Sequence, residues 1–530
     1  MNRYDAIVIG AGANGLATAA LLARKLDRVL VLERRDMAGG TNATEEFHPG
    51  FRTNACREDA GWLPDSLVRQ LALQRQGLQW LAPTAGLVSI STNHPPVATY
   101  PDRSRTVDGL KALSPADAGR WPDFTAFVGR AAGFLEAAYR LRAPNVQSRA
   151  FGDLMALAGL GRRLRKLGRR EMMGVLRVVP MPVADLAEEW FTAEPIRAML
   201  AVAGTRDVMH GPLSGGTALV FLHQQVGQAA GSIGVRRAAR GGLGALTAAL
   251  AAAGREEGVE IRLAAEVSEV VVDGGRVRGV RLSTGEELAA THVVSSADPR
   301  RSFSWIDPGW LDPELLRAVD NIRMRGSTAR IHFALDALPR VVSGGQEVPR
   351  DALGGTLVVA ASPLAVERAY DAAKFGHLPD APALTVTVPS LADSSLAPDR
   401  KHVLTVTVHH APYALEGGWT PAATAALADR VGSSLAPVIP DLAEKTLHRW
   451  ILTPADLETR YGCTEGNLSH GEIALDQFLF MRPLPASSRY ATPVSGFWLC
   501  GTGTHPASAS GAGASLVSRE VLAARAPASG

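Results

Sequence analysis

The spacing of hydrophobic residues changes several times along the chain, and each change marks an element. Tyr4 to Ile9 (YDAIVI) is a short β-branched run that fits a buried parallel strand. GAGANG follows, and Ala17 to Leu26 reads as the helix behind it. Arg28 to Leu32 (RVLVL) is a second strand, ending at Glu33. Gly241 to Gly254 is a glycine-rich turn entering an Ala/Leu helix. Val259 to Leu263 and Glu266 to Val272 are strands, and Asp273-Gly274-Gly275 is a hairpin turn before Val277 to Leu282. Glu287 to Val294 is a further strand, ending in the small residues Ser295-Ser296-Ala297. Near the C-terminus, Gly496 to Cys500 is a strand and Gly501 to Pro506 a turn. Ala507 to Ser515 then leads into a last helix reaching about Ala524.

The regions between differ in character. Ser114-Pro115-Ala116-Asp117 opens a long helix to about Arg142. Asp185 with Glu188 resembles a capping box. Leu384 to Val388 and His402 to His409 alternate as sheet strands do. The expected architecture is α/β: a discontinuous Rossmann-type domain (1–65, 231–300 and 486–530) with an inserted α+β substrate domain (66–230 and 301–485).

The first glycine run sits where a dinucleotide fingerprint requires it, between strand and helix, with an acidic residue closing the second strand. Gly10 makes the tight turn, Gly12 admits the pyrophosphate and Gly15 lets helix and strand pack. Ala13 and Asn14 complete the loop, and the helix N-terminus offers free N–H groups to phosphate. Glu33 is placed for a ribose hydroxyl, with Arg34 beside it. Gly39 and Gly40 let a second loop cross the phosphates, and Thr41 follows. Such an extension resembles flavoproteins of the glutathione-reductase superfamily, on the amine oxidase and phytoene desaturase side, many of which carry Arg where Thr41 stands.

Composition narrows the options. Lys+Arg number 55 and Asp+Glu 52, a formal charge of +3, so nothing here favours nucleic acid. Apolar residues make up 46% and charged residues 20%, which excludes a disordered chain. Cys56, Cys463 and Cys500 lie too far apart for a redox pair or a thiolate metal site, so a reduced, cytoplasmic setting is expected. Ala6 to Ala23 carries no charge, but it holds Asn14 and changes from strand to helix midway. It reads neither as a membrane span nor as a signal segment.

HGPLSGGTALVFLHQ (from His210), YGCTEGNLSHGEIALDQFLFMRPLP (from Tyr461) and GFWLCGTGTHP (from Gly496) narrow the resemblance to the phytoene desaturase-like flavoproteins. Their nearest branch is the one named for a pyridine nucleotide-disulfide oxidoreductase domain. The likeness covers nearly the whole chain in order. It implies non-covalent FAD and the oxidation, desaturation or isomerisation of a small, apolar molecule. It also implies cofactor contacts from Val267 and Ala297, and from Gly501, Thr502, Gly511 and Ala512 at the flavin corner. Many relatives place Asp at the position of Thr502.

In such enzymes the flavin takes a hydride at N5 and the protein aligns the C–H bond. The candidates for chemistry are His470, Glu472 and His505, with Asp476 and Arg482 nearby. His470 and Glu472 suit a base and its orienting partner, or a loop clamp. His223 and Gln224 end an apolar helical run and suit a pocket wall. Phe497 and Trp498 read as core. No aromatic pair is evident at the flavin corner, which weakens amine oxidation, and His402, His409 and His410 have no carboxylate at a metal spacing. A basic stretch, Arg162 to Arg170, lies within Leu154 to Leu176. As one helix it sets Leu157, Leu160, Leu164 and Leu167 on one side and cations elsewhere, a pattern that suits either a peripheral membrane contact or a solvated face. Three functional classes remain open: a flavin oxidoreductase, a redox-neutral flavin isomerase, and a flavin-bearing interaction protein.

Overall fold

The structure is a computed structural model that describes residues 3–144, 151–228 and 232–524. Its cofactor-side sheet has seven strands. Tyr4–Ile9 lies at the centre, parallel to Val29–Leu32 on one side and Glu287–Ser295 on the other. Val29–Leu32 continues to Glu260–Arg262, while Phe497–Leu499 joins the far end of Glu287–Ser295, pairing Val294 with Trp498. The near end of that same strand pairs antiparallel with Arg276–Leu282, which turns back to Val267–Asp273. The β-branched runs form the interior because both sheet faces are covered. Helix Ala13–Ala23 packs on one face with helices Gly244–Glu256 and Ala514–Ala523. The other face meets Phe303, Ile306 and Met324. Phe497 and Trp498 lie in these two cores.

Four of the parallel strands end at one edge, where Gly10, Glu33, Ser296 and Cys500 follow them. That edge is where open α/β sheets bind ligands. The first helix begins at Ala13, earlier than the apolar run from Ala17 suggested, because the glycine motif itself forms its first turn.

A second seven-stranded sheet stands over this edge, in the order Thr446–Leu452, Thr328–Leu335, His402–His409, Leu384–Thr387, Thr356–Val359, Leu87–Ser91, His94–Ala98. Its central strands alternate, yet their residues are buried on both sides. Ile331, Phe333, Leu404 and Val406 face an apolar core. The opposite parity places His332 beside Thr405, and Arg330 and Thr407 beside Glu58. The polar face is buried against the rest of the protein, which is why alternation here does not mean a solvent-facing side.

A helical layer closes the third side. Pro115–Tyr139 starts where the Ser114 hydroxyl accepts from Asp117 N–H at 3.2 Å. Its Trp121 and Phe124 pack on Phe191 and Phe221 from neighbouring helices. Two expectations fail here. Helix Val183–Trp190 begins after Pro182 with no side-chain cap, so Asp185 and Glu188 form no capping box; Thr453 and Asp456 form one instead. The basic stretch is two helices, Phe151–Arg165 and Arg169–Val178, parted at Gly168 with φ of 85°. Leu157, Leu160, Leu164 and Leu167 turn half inward, while Leu154, Met155, Met173 and Leu176 are exposed beside the cations.

Candidate functional site

The glycine loop is shaped by three different constraints. Gly10 has φ of 98°, and a Cβ there would stand 2.3 Å from Ser296 Oγ. A Cβ on Gly15 would stand 2.0 Å from the Gly10 carbonyl oxygen, so that glycine is needed for helix–strand contact. A Cβ on Gly12 would meet nothing in the protein closer than Gly40 Cα at 3.9 Å. Its space is open toward the cleft. Gly12 has no capping side chain, so the first N–H groups of the helix remain available to an anion. The second glycine loop crosses here, Gly39 N–H donating to the Ala11 carbonyl at 2.9 Å.

Two side chains hold this loop. Glu33 accepts from Ala11 N–H at 2.8 Å and from Arg35 N–H at 3.0 Å, at the end of the second strand. Asn14 donates to the Ser508 carbonyl at 3.0 Å and to Thr502 Oγ1 at 3.3 Å, and accepts from Gly511 N–H at 2.9 Å. Asn42, overlooked in the sequence, donates to the Ala509 carbonyl at 2.7 Å, while its Oδ1 is buried at the cleft with no partner. Thr41 accepts from Arg57 Nε at 3.2 Å. Arg57 thereby brings a guanidinium to the loop that lacks one at position 41, and no local sequence signal marks it.

Most of the expected contacts line one cleft of about 130 Å³. Gly10, Gly12, Ala13 and Asn14 form its floor. Glu33, Arg34, Gly39, Gly40 and Thr41 form one wall, and Val267, Ala297 and Thr502 the other. Four do not reach it. Gly15 is a packing position. Gly501 lies where a Cβ would stand 2.5 Å from the Ser296 carbonyl oxygen. Gly511 gives its N–H to Asn14, and Ala512 is packed in the helical core. The last helix starts later than expected, at Ala514.

The cleft meets a larger cavity of about 300 Å³, and the two share Thr502 and Ala509. Trp62, Tyr139, His223 and Ile473 line it, so aromatic side chains do stand at this corner, contrary to the sequence reading. Trp62 and Tyr139 escaped notice because they come from distant segments, whereas His223 and Gln224 form part of the wall as expected. Tyr139 Oη lies 2.6 Å from His223 Nδ1. The far wall is charged. Asp59 pairs with Arg236 and, at 2.9 Å, with Arg206. Glu58 lies behind them against Thr407 at 2.6 Å. Despite burial, the neighbouring Arg206 and Arg330 pull the Glu58 carboxyl down to about 2, and Asp59 lies well below the usual carboxylate range beside Arg236.

The three catalytic candidates separate. His470 lines the nucleotide cleft, has φ of 54°, and carries a buried Nδ1 with no partner; burial lowers it to about 4. Glu472 reaches neither cavity. It is buried and bound to Arg325 at 2.6 Å, Arg323 at 3.3 Å and Met209 N–H at 3.1 Å, an arrangement that ties these segments together. His505 lies behind the cavity wall, its ring 6.0 Å from that of Tyr139 and edge-on to it. Asp476 pairs with Arg323 at 2.6 Å near the surface. Arg482 is buried and donates to the carbonyls of Gly471 (2.9 Å), Gln477 (3.1 Å) and Thr502 (3.2 Å), tying this loop to the cofactor corner. Among the described residues no three His, Cys, Asp or Glu side chains gather as a metal site.

Comparison with known proteins agrees with this geometry. Residues 144–514 match the family described as flavin containing amine oxidoreductase, and residues 8–62 match an NAD(P)-binding Rossmann-like domain. The chain is 31% identical to pyridine nucleotide-disulfide oxidoreductase domain-containing protein 2 of Rattus norvegicus, over 95% of this chain and 90% of that one. It is 27% identical to the neurosporene-forming phytoene desaturase of Cereibacter sphaeroides, over 98% and 94%. An oxidoreductase from Methanosarcina mazei shares the fold with a TM-score of 0.59 at 14% identity, covering 98% of this chain and 99% of that one. The cofactor is FAD, and the residues present fit it: the open space at Gly12, the uncapped helix start and the unpartnered Asn42 Oδ1 all face one cleft.

Two predictions follow from this geometry. Gly12→Val yields a folded protein with no bound cofactor, whereas Gly15→Val loses stability outright, by about 3 kcal/mol or more from overpacking. Thermal melts and flavin absorbance separate the two; a Gly12→Val protein with full flavin occupancy refutes the assignment. Burial also holds six histidines neutral: His223 and His332 are lowered to about 3, and His409, His410, His470 and His505 to about 4. Below about pH 6.5 the unfolded chain takes up protons that the folded one refuses, so stability falls as pH drops from 6.5 toward 4. Melting temperature across that window checks this, and a flat profile contradicts it.

Proposed function

The chain belongs to the flavin containing amine oxidoreductase family, and from that premise we propose that it oxidises a small substrate of largely apolar body by hydride transfer to flavin N5. It is an FAD-dependent oxidoreductase. What supports the finer reading is the continuity of the two cavities: a dinucleotide cleft runs through Thr502 and Ala509 into a chamber lined by Trp62, Tyr139 and Ile473. Bound FAD supplies a two-electron acceptor. The chain's own residues do the rest. Gly12 and the helix start would receive the phosphates, Arg57 holds the glycine loop at Thr41, Arg482 holds the loop at Thr502, and the aromatic walls exclude water from the reacting bond. No side chain at this chamber is required as a base for the hydride itself. The cofactor segments in this reading are 1–65, 231–300 and 486–530, and the substrate segments are 66–230 and 301–485.

We propose further that the protein is cytoplasmic and visits an anionic membrane through Arg162–Arg170. Its cysteines are free and buried, and no described helix is long and apolar enough to cross a membrane. Leu154, Met155, Met173 and Leu176 are exposed next to Arg162, Arg163, Arg169 and Arg170, the pairing of apolar and cationic side chains that suits a lipid headgroup layer.

Purified protein is expected to show flavin bands near neutral pH and to release FAD on denaturation, the signature of non-covalent binding. Anaerobic substrate then bleaches those bands. A redox-neutral isomerase gives no net bleaching, and a colourless protein that takes up no added FAD overturns the reading. For the surface, vesicles containing phosphatidylserine are expected to co-sediment the protein, while phosphatidylcholine vesicles and the Arg162→Glu, Arg163→Glu double variant show little binding. Equal binding in all three cases refutes the docking face.

A further inference from the structure

The cavity holds one polar pair whose chemistry specifies more about the substrate, given the oxidoreductase reading above. Tyr139 ends the helix Pro115–Tyr139, and His223 lies in the last turn of Thr217–Gln224. Their Oη–Nδ1 contact of 2.6 Å is half-buried in aromatic surroundings at the cavity wall. Phe478 meets the His223 ring edge-on at 6.0 Å, and Trp62 meets Tyr139 at 5.7 Å, so the imidazole plane is fixed by packing. Burial raises the Tyr139 phenol well above its usual range, and burial together with Arg482 and Arg236 lowers His223 to about 3. Both groups are therefore uncharged at neutral pH.

Two arrangements satisfy this contact: Tyr139 O–H donating to Nδ1, or Nδ1–H donating to the phenol oxygen. Only the first gives the Tyr139 hydroxyl hydrogen a partner among the described residues, so Tyr139 is taken as donor and Nδ1 as acceptor. The remaining imidazole proton sits on Nε2. Among the described residues no hydrogen bond to that atom is seen, and His223 lines the cavity along with Thr502 and Ser508. The site thus presents a neutral N–H donor that can neither ionise at working pH nor accept a proton at the occupied nitrogen.

We propose that His223 Nε2–H is the donor that orients the substrate, with Tyr139 as the positioning residue that fixes its tautomer. The substrate accordingly carries a carbonyl or hydroxyl oxygen on an otherwise apolar body. A bare hydrocarbon leaves this donor unsatisfied in a desolvated site, and an ammonium group has nothing to accept from it.

The test uses the FAD-loaded enzyme and two probes of one shape, acetophenone and α-methylstyrene, in which C=CH₂ replaces C=O. Perturbation of the flavin absorbance band reports binding. Acetophenone is expected to act at about 10-fold lower concentration, the worth of one hydrogen bond. His223→Phe erases the preference and His223→Gln, which keeps a donor, retains part of it. Tyr139→Phe keeps the ring packing but frees the tautomer, and cuts the preference about 3-fold. No preference in the wild-type protein, whether both probes act or neither does, overturns the proposal, as does a preference that survives in His223→Phe. The wild-type comparison stands even if a variant fails to fold. A protein that holds no FAD is recognised from its spectrum before any titration, and removes the functional reading and this proposal together.

Discussion

Asn14 joins the two ends of the chain. It lies in the first turn of the first helix, yet its amide bonds reach Thr502, Ser508 and Gly511. The cofactor cleft requires the first glycine loop and the last turn to stand side by side, and local structure cannot bring them together. Parallel pairing of Val294 with Trp498 carries the last strand to the correct edge, and Asn14 with Asn42 then sets the turn that follows it. Each neutral hydrogen bond contributes about 1 kcal/mol, but leaving such buried partners unmatched costs about 1–3 kcal/mol apiece. The amide is therefore a requirement of closure more than a source of stability.

The same logic governs the far wall. Glu58 and Asp59 follow Arg57, which lines the larger cavity, and their charges are buried. Burial of single charges is prohibitive, so the second sheet supplies Arg330 and the helical layer supplies Arg206, with Arg236 from the return to the cofactor side. Three chain regions are thereby coupled through one charge set. Such a set offers little net stability, but removing one member leaves the others uncompensated, which fixes the relative placement of sheet, helices and cofactor edge.

The cofactor half of this arrangement was readable because its rules are local. Strand–glycine–helix spacing, the acidic residue at Glu33 and the hairpin at Gly274 each state their geometry in consecutive residues, and the strands fall within a residue or two of expectation. The failures are also physical. Gly501 and Gly511 have the right residue type for a ligand turn but are consumed by packing and by Asn14. Glu472 looked available for chemistry only because Arg323 and Arg325, its partners, lie far away in sequence. The aromatic chamber was invisible for the same reason. Tyr139, His223 and Phe478 meet only after three separate segments have folded.

The position of Phe497–Leu499 and the turn after it bears on how the protein matures. During synthesis, the glycine loop, the second strand and the hairpin all emerge long before the turn that contains Thr502, Ser508 and Ala509. Until then the nucleotide cleft lacks a wall and the chamber next to it lacks its floor. A complete FAD site therefore exists only once that turn has been made and has closed on the first glycine loop. Flavin, which binds only the closed arrangement, then stabilises the joining of those two distant segments by mass action.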